Sequence, residues 1–352
     1  MENNMFKRMK MSKYIFIISV VIYLIICIVS ISAGSVKIPF SYTTRVILHG
    51  FLNIGNVSDI SETIITIIMN IRLPRVIMAS IVGASLSLAG AVMQGLLKNP
   101  LADGSSLGVS SGASIGATIA IALGISLPIL SEFSIIITSI IFAFLSLFLV
   151  LYVVKKIDAK MSTNTVILAG VIFSMFASSI SSLILAIFSN DTKKIVFWTL
   201  GSLSSSSISK VLIILPIFLV CVTYILSKIP ELNVFQIGED GAKYLGVNTK
   251  KTKISLFIFS SVLVGMSVAM TGNIGFVGLV IPSIVRMLVK TDYKYILPFS
   301  MILGACFLCL TDLISRTIIA PYELPIGTVT SLFGAIIFVY ILYNFKKRKE
   351  VI

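Results

Sequence analysis

Long apolar runs separated by brief polar punctuation dominate the chain. Residues 14–34, 76–97, 134–154, 163–189 and 324–344 each run for about 20 residues or more without one charged side chain, the length a helix needs to cross a bilayer core. Extended along the whole sequence, the pattern predicts ten spans near 14–34, 63–95, 104–124, 134–155, 163–189, 208–228, 254–271, 274–290, 295–315 and 325–344. The expected class is an all-α polytopic membrane protein. Residues 35–61 are polar enough for an extracellular loop, and 191–194 mark another. Between 195 and 203 the pattern suits a short re-entrant or interfacial helix, with Trp198 as its anchor. The longest soluble connection, 228–253, is too short for a domain. With no linker or low-complexity tract to divide it, residues 1–352 read as a single transmembrane domain.

Composition removes the soluble classes, since 57% of residues are hydrophobic, 12% are charged and the mean hydropathy is strongly positive. The net charge of +14 would suggest nucleic acid in a soluble protein. On a polytopic chain it reports orientation instead. With an inner N-terminus, the basic residues within 7–13, at 98 and within 155–160, 228–253, 286–294 and 346–349 lie inside, 20 of the 28, leaving 8 outside. Both termini are then cytoplasmic and the span number even. A cleaved leader competes for residues 14–34, which follow four basic residues and end in small ones. Their apolar length exceeds the roughly 7–15 residues of a leader core. Cys27, Cys221, Cys306 and Cys309 sit in apolar runs and read as packing residues, not as disulfides or metal ligands.

Two spans are crowded with small residues. One carries Gly83, Ala84, Ser85, Ser87, Ala89, Gly90, Ala91 and Gly95, and the next carries Gly108, Ser110, Ser111, Gly112, Ala113, Ser114 and Gly116. Small residues allow close backbone approach in lipid, and serines exposed by such packing can also line a passage. Val82-Gly83-Ala84-Ser85 followed by Gly90 matches Val264-Gly265-Met266-Ser267 followed by Gly272. In the ten-span order these copies run in opposite directions, as in inverted-repeat transporters, although a match this short also arises by chance. The first helix stops at Asn99-Pro100, because a residue before proline is driven from the helical region.

The string Gly90-Ala91-Val92-Met93-Gln94-Gly95-Leu96-Leu97-Lys98-Asn99-Pro100-Leu101-Ala102 resembles the membrane subunit of ABC importers for iron-siderophores, haem and cobalamin. So do Leu107-Gly108-Val109-Ser110-Ser111-Gly112-Ala113, Gly275-Phe276-Val277-Gly278-Leu279-Val280-Ile281-Pro282 and Tyr322-Glu323-Leu324-Pro325-Ile326-Gly327. The likeness runs from about residue 71 to 343. Gly104 stands where the family usually has proline, and Ser283 where it often has histidine. The resemblance implies a type II importer permease fold.

It also implies roles for particular residues. Arg72, Arg75 and Arg316 fall at family positions that meet glutamates of an extracytoplasmic substrate-binding protein. An outward guanidinium suits that task, being always charged and able to grip a carboxylate with two bonds. Snorkelling is the plainer reading for all three, and Asp312 lies one turn from Arg316, where an intrahelical ion pair can form. Residues 235–247, within the 229–253 connection, look like the family's coupling segment, with Gly238, Glu239, Gly241, Leu245 and Gly246 contacting an ATPase. Without the resemblance they read as an amphipathic helix on lipid headgroups. Thr163 and Asn164 take the place of the inner gate, where a helix N-cap by Ser162 or Thr163 is at least as good an account.

The chain has no Gly-x4-Gly-Lys-Ser/Thr loop, so ATP and Mg are expected on a partner and none of the catalysis here. The only histidine, His49, has no cluster around it, and no metal or other cofactor is expected in this chain. Expected partners are a second copy or a paralogue as dimer, two ATP-binding subunits and the binding protein, with no nucleic acid. The cargo order implied is ferric siderophore, then haem, then cobalamin. An ion-coupled secondary carrier is the alternative; such carriers hold working carboxylates or histidines within spans, and here only Asp312 comes near one.

Overall fold

In the computed structural model the described residues are 2–34, 36, 38–125, 133–158, 160–188, 191–289 and 291–349, with side chains undescribed at 2–13, 342 and 344–349. The basic residues of both termini and Lys290 therefore lie outside the described side chains. Every element among the described residues is helical. In order these are α1 (Glu2–Ser32), α2 (Phe40–Leu52), α3 (Glu62–Thr66), a π-helical segment (Ile67–Arg72), α4 (Leu73–Leu96), α5 (Val109–Ala122), α6 (Ser134–Ile157) and α7 (Thr163–Ile187). Then follow α8 (Thr192–Thr199), α9 (Ile208–Ser227), α10 (Ile229–Phe235), α11 (Glu239–Tyr244), α12 (Thr249–Thr271), α13 (Val277–Leu288), α14 (Tyr293–Thr317) and α15 (Ile326–Lys349). Among the described residues, seven helices are long and apolar enough to cross a membrane, and three shorter apolar ones bring the number to the ten expected.

Helix α4 forms the centre, with α1, α12, α13 and α14 around it and α5, α6 and α7 in a second group joined through α12. Its small residues explain that position. A Cβ on Gly83 would overlap the Gly304 carbonyl of α14, and one on Gly90 the Gly278 carbonyl of α13. Helix backbones thus meet directly, the packing that lipid favours where water exclusion cannot act. In the continuous helical stretch Glu62–Leu96 that ends in α4, 89% of the most apolar window is buried, against 11% in α7. The two copies of the short repeat fall on α4 and on α12 with its C-cap Gly272, and these two helices pack against each other.

Two predicted spans are shorter than expected. Helix α5 begins at Val109 and α13 at Val277, which gives them lengths of about 21 and about 18 Å against a core of roughly 30 Å. The residues before them are non-helical yet enclosed. Gly104 lies against Ala89 and Val264, where any side chain would collide, and Gly170 of α7 lies against the Ser106 carbonyl. Proline in place of Gly104 is thus not required to order this turn. Asp103 does so by accepting from Ser105 N at 3.1 Å and Ser106 Oγ at 3.0 Å. Irregular backbone at membrane depth survives only under such cover. Before α13, Ser202 N donates to Thr271 O at 2.7 Å, and Ile326 N to Gly201 O at 3.1 Å.

The expected loop 35–61 contains a further helix, α2, with Thr43 and Val46 buried three residues apart on its inner face. Its polar residues made it read as loop; the apolar face closes over the end of α1. The interfacial helix expected at 195–203 forms earlier, as α8, with Trp198 half-buried.

Candidate docking and coupling sites

The functional candidates gather at opposite ends of the helix bundle. At one end the last turn of α1, the π segment, the first turn of α4, the end of α14 and the approach to α15 converge. Arg75 is the hub. Its Nε donates to Asp312 at 3.0 and 3.2 Å, and its Nη1 to Glu323 at 2.9 and 3.0 Å. Arg316 forms an ion pair with the same Asp312 at 3.0 Å and donates to the Ser30 carbonyl at 2.8 Å. Arg72 donates to the carbonyls of Ile31 at 2.8 Å, Ser32 at 2.6 Å and Val36.

All three arginines are buried, which corrects the expectation that they stand outward as free guanidinia. The reason lies in what surrounds them. The final turn of α1 leaves carbonyls with no intrahelical donor, and Asp312 is a nearly inaccessible carboxylate that needs cationic partners. The guanidinia supply both needs. Three cations against two carboxylates leave one positive charge in excess, and only Glu323 of the five is substantially open, at 41% of its side chain. The spacing of Asp312 and Arg316 revealed their pair, whereas nothing in the sequence indicated that Arg75 reaches both Asp312 and Glu323.

At the opposite end, α10 and α11 form a hairpin through residues 236–238. Gly238 and Gly246 have φ of +129° and +81°, backbone that a side chain strains, so the hairpin can turn at one and leave α11 at the other. At Gly241 a Cβ would meet Ile237 Cγ2 at 3.1 Å, so a larger residue pries the turn open. Asn233 of α10 donates to Asp292 at 2.8 Å and accepts from Tyr293 N at 2.9 Å. Gln236 donates to the Thr291 carbonyl at 2.8 Å, and Lys98, just past α4, donates to the Gln236 carbonyl at 3.4 Å. Glu239 of α11 pairs with Lys253 of α12 at 2.6 Å, and Lys253 also donates to the Met161 carbonyl at 2.7 Å.

The hairpin is therefore bolted to α4, α12, the α13–α14 turn and the turn before α7. Yet its outer face is apolar and bare, with Tyr244 91% exposed and Ile237 and Leu245 also open. Leu245 was identifiable through the family string; Ile237 and Tyr244 were not, because neither belongs to an apolar period.

Thr163 opens α7 half-buried and Asn164 is exposed beside it. Ser162 holds the N-cap position without a side-chain cap bond. Asp158 organises the turn instead, accepting from Ser162 N at 2.8 Å and Lys160 N at 2.9 Å. Hydrogen bonds from Ser162 are the main reason its carboxyl is held down to about 2. Nearer the core, Gln94 donates to the carbonyls of Pro100 and Leu279, both at 3.1 Å, and to Ser283 at 3.3 Å. Serine at 283 thus belongs to a polar brace between α4 and α13.

Comparison with known proteins identifies the family. The chain is 46% identical to the ABC transporter permease protein YvrB of Bacillus subtilis (strain 168), over 90% of this chain and 89% of the relative. It is 32% identical to the hemin transport system permease protein HmuU of Yersinia pestis, over 80% and 84%. A solved structure of a metal-chelate type ABC transporter in an inward-facing conformation superposes with a TM-score of 0.81 at 32% identity, covering 94% of this chain and 99% of that one. Other relatives carry names for siderophore, ferric citrate, cobalamin and molybdate import. The family model of the FecCD transport family matches residues 22–344, so the chain belongs to that family and is a multi-pass permease of an ABC importer.

Proposed function

We propose that this protein is a single-domain permease that imports an iron chelate, with ferric siderophore ahead of haem and haem ahead of cobalamin. The observation that carries the transport reading is the α10–α11 hairpin, which is fixed to four parts of the bundle while presenting Ile237, Tyr244 and Leu245 bare. An apolar face at the polar end of a membrane protein marks a partner surface. The partner is an ATP-binding subunit, two per dimer, which supplies all ATP and Mg chemistry. The lysine-rich end is then cytoplasmic, with both termini on that side, and Thr163 and Asn164 stand at the inner gate around the axis of a homodimer or a paralogous pair. The arginine end faces out, where its excess positive charge receives acidic residues of the binding protein.

A secondary carrier fits less well, since Asp312, the carboxylate it would use, is consumed by Arg75 and Arg316. The cargo order rests on the iron compounds named for several relatives and on the lack, in the sequence, of a histidine, methionine or cysteine constellation that would take a metal out of its chelate. Cells lacking this chain should lose iron accumulation from one chelate while retaining other iron routes. Unchanged iron uptake with loss of haem, cobalamin or molybdate uptake would overturn the order, and no uptake defect for any of them would overturn the importer reading.

A further inference from the structure

Between α11, the start of α12 and the turn before α7 lies a cavity of about 460 Å³, within the roughly 300–1,000 Å³ typical of small-molecule sites. Nine of the ten residues around it are polar, so it offers an acyl chain or other apolar body no wall. Four of them are lysines, Lys160, Lys243, Lys250 and Lys253. Glu239 pairs with Lys253 at 2.6 Å and Asp240 with Lys243 at 2.9 Å. Asp240 is held below the ordinary carboxylate range, first by the hydrogen bond from Lys243 and in smaller part by the charge of Lys160. Four cations against two engaged carboxylates leave an excess of two, which turns away a metal cation and attracts an anion. Among the described residues neither Lys160 nor Lys250 forms an ion pair.

Donors without acceptors line the same space. Thr249 is only 7% exposed, yet its hydroxyl makes no hydrogen bond among the described residues. A buried hydroxyl is costly to leave unpaired, so one that lines a cavity points to an occupant. The amides of Thr249 and Lys250 open the 23-residue helix α12 and likewise have no acceptor among the described residues. Lys253 forms the floor, its side chain 3% exposed, and two of its three N–H donors go to Glu239 and the Met161 carbonyl, so one remains. Ammonium groups, a hydroxyl and the amides at a helix start are together the donor set that holds a tetrahedral oxyanion. We propose that this cavity binds a soluble phosphate group, as inorganic phosphate or a small phosphate ester, between Lys160, Lys250, Lys253 and the first turn of α12. The excess of two positive charges matches the roughly −1.5 to −2 that a phosphate ester carries at pH 7.

Binding stands on the cavity alone, whereas its consequence for transport rests on the coupling reading above. One bound phosphate would tie the start of α12 to Lys160 in the turn before α7, and so brace the gate turn against the coupling hairpin. The test is equilibrium dialysis of labelled inorganic phosphate against the full chain in phosphatidylcholine nanodiscs, with and without a bound ATP-binding subunit. Wild type should bind one phosphate per chain with a Kd of about 0.1 mM or tighter. T249V keeps the branched shape and removes only the unpaired hydroxyl, so affinity should fall about tenfold while the thermal midpoint stays put. K160Q/K250Q should weaken binding about a hundredfold. K155Q/K294Q, with equal charge loss at exposed positions of the same end outside the cavity, should bind as wild type does.

No saturable binding by wild type would overturn the site, and equal weakening by the two lysine pairs would reduce it to general surface attraction and overturn it as well. Full affinity in T249V would show that the unpaired hydroxyl meets no anion, again against the proposal. Displacement of the phosphate by phosphatidylglycerol added to the nanodiscs would make a lipid headgroup the occupant and overturn the soluble source. Phosphate that binds the chain alone but not the assembled complex would show that an ATPase side chain fills the cavity, which also contradicts the proposal. Failure of the ATPase to assemble would instead count against the coupling reading and leave the titration of the chain intact, so the two failures are distinguishable.

Discussion

The arginine end and the lysine end carry the same sign of charge and use it in opposite ways. At the first, Arg72, Arg75 and Arg316 turn inward and are consumed by Asp312, Glu323 and the last carbonyls of α1. At the second, Lys253 alone is buried and used as a bolt, while Lys160, Lys243 and Lys250 rim an open cavity beside bare apolar side chains. One end is therefore a staple that holds five segments in place, with only Glu323 of its five ionised side chains substantially open. The other leaves most of its charges and its apolar side chains on the outside. Basic residues near a membrane edge do not by themselves say which kind they are; the presence of a buried acid such as Asp312 decides it.

The largest effect should come from breaking the staple. Asp312→Ala leaves Arg75 and Arg316 buried without their shared carboxylate, a loss on the order of 3–5 kcal/mol by comparison with other buried pairs. Folded yield in detergent and the thermal midpoint should fall sharply. A midpoint within a degree of wild type would show that the arginines are not held by this acid.

At the lysine end a substitution of equal chemical severity should leave the fold alone. Tyr244→Asp touches a side chain that contacts almost nothing in the chain, so the thermal midpoint should stay put. ATPase retention should drop by about tenfold or more, as for loss of a central interface anchor. Retention unchanged at physiological salt would remove the hairpin from the interface.

Lys253→Met should fall between these, since it frees Glu239 and the Met161 carbonyl together and loosens α11 from the turn before α7. The expected outcome is an ATPase that still binds but hydrolyses ATP without matching uptake. Normal coupling between hydrolysis and uptake would show that the bolt carries no motion.

Glu323→Gln is the mildest. Its pair with Arg75 is part-exposed and worth less than about 1 kcal/mol, so stability should barely change. Removing one of two carboxylates raises the excess charge by one, and binding-protein capture should tighten a few-fold at low salt and less at high salt. Weaker capture would mean that Glu323 itself makes a contact with the binding protein.

The fold was largely legible because bilayer length and charge-free runs leave little choice of element, and glycine spacing on α4 correctly marked a helix for close packing. Hydropathy alone could not rank α4 and α7, which are equally apolar yet sit at the centre and the rim. What separates them is Gly83 and Gly90 meeting Gly304 and Gly278, a property of two helices at once. The shortening of α5 and α13 was hidden for a similar reason, since apolar, small residues before Val109 and Val277 look helical until neighbouring backbones claim their hydrogen bonds. At the sites, positions were readable and partners were not. Arg75 meets Asp312 and Glu323 across more than two hundred residues, and Tyr244 becomes notable only once the hairpin leaves it bare.

The central claim is that this chain passes work from an ATP-hydrolysing subunit through the α10–α11 hairpin. Co-expression of the chain with a candidate ATP-binding subunit from the same genome, followed by purification through a tag on the permease, tests this most directly. The account predicts stable co-purification with wild type, loss with Tyr244→Asp, and retention with Glu323→Gln at the far end. Equal ATPase recovery from all three, or none from wild type, would contradict it.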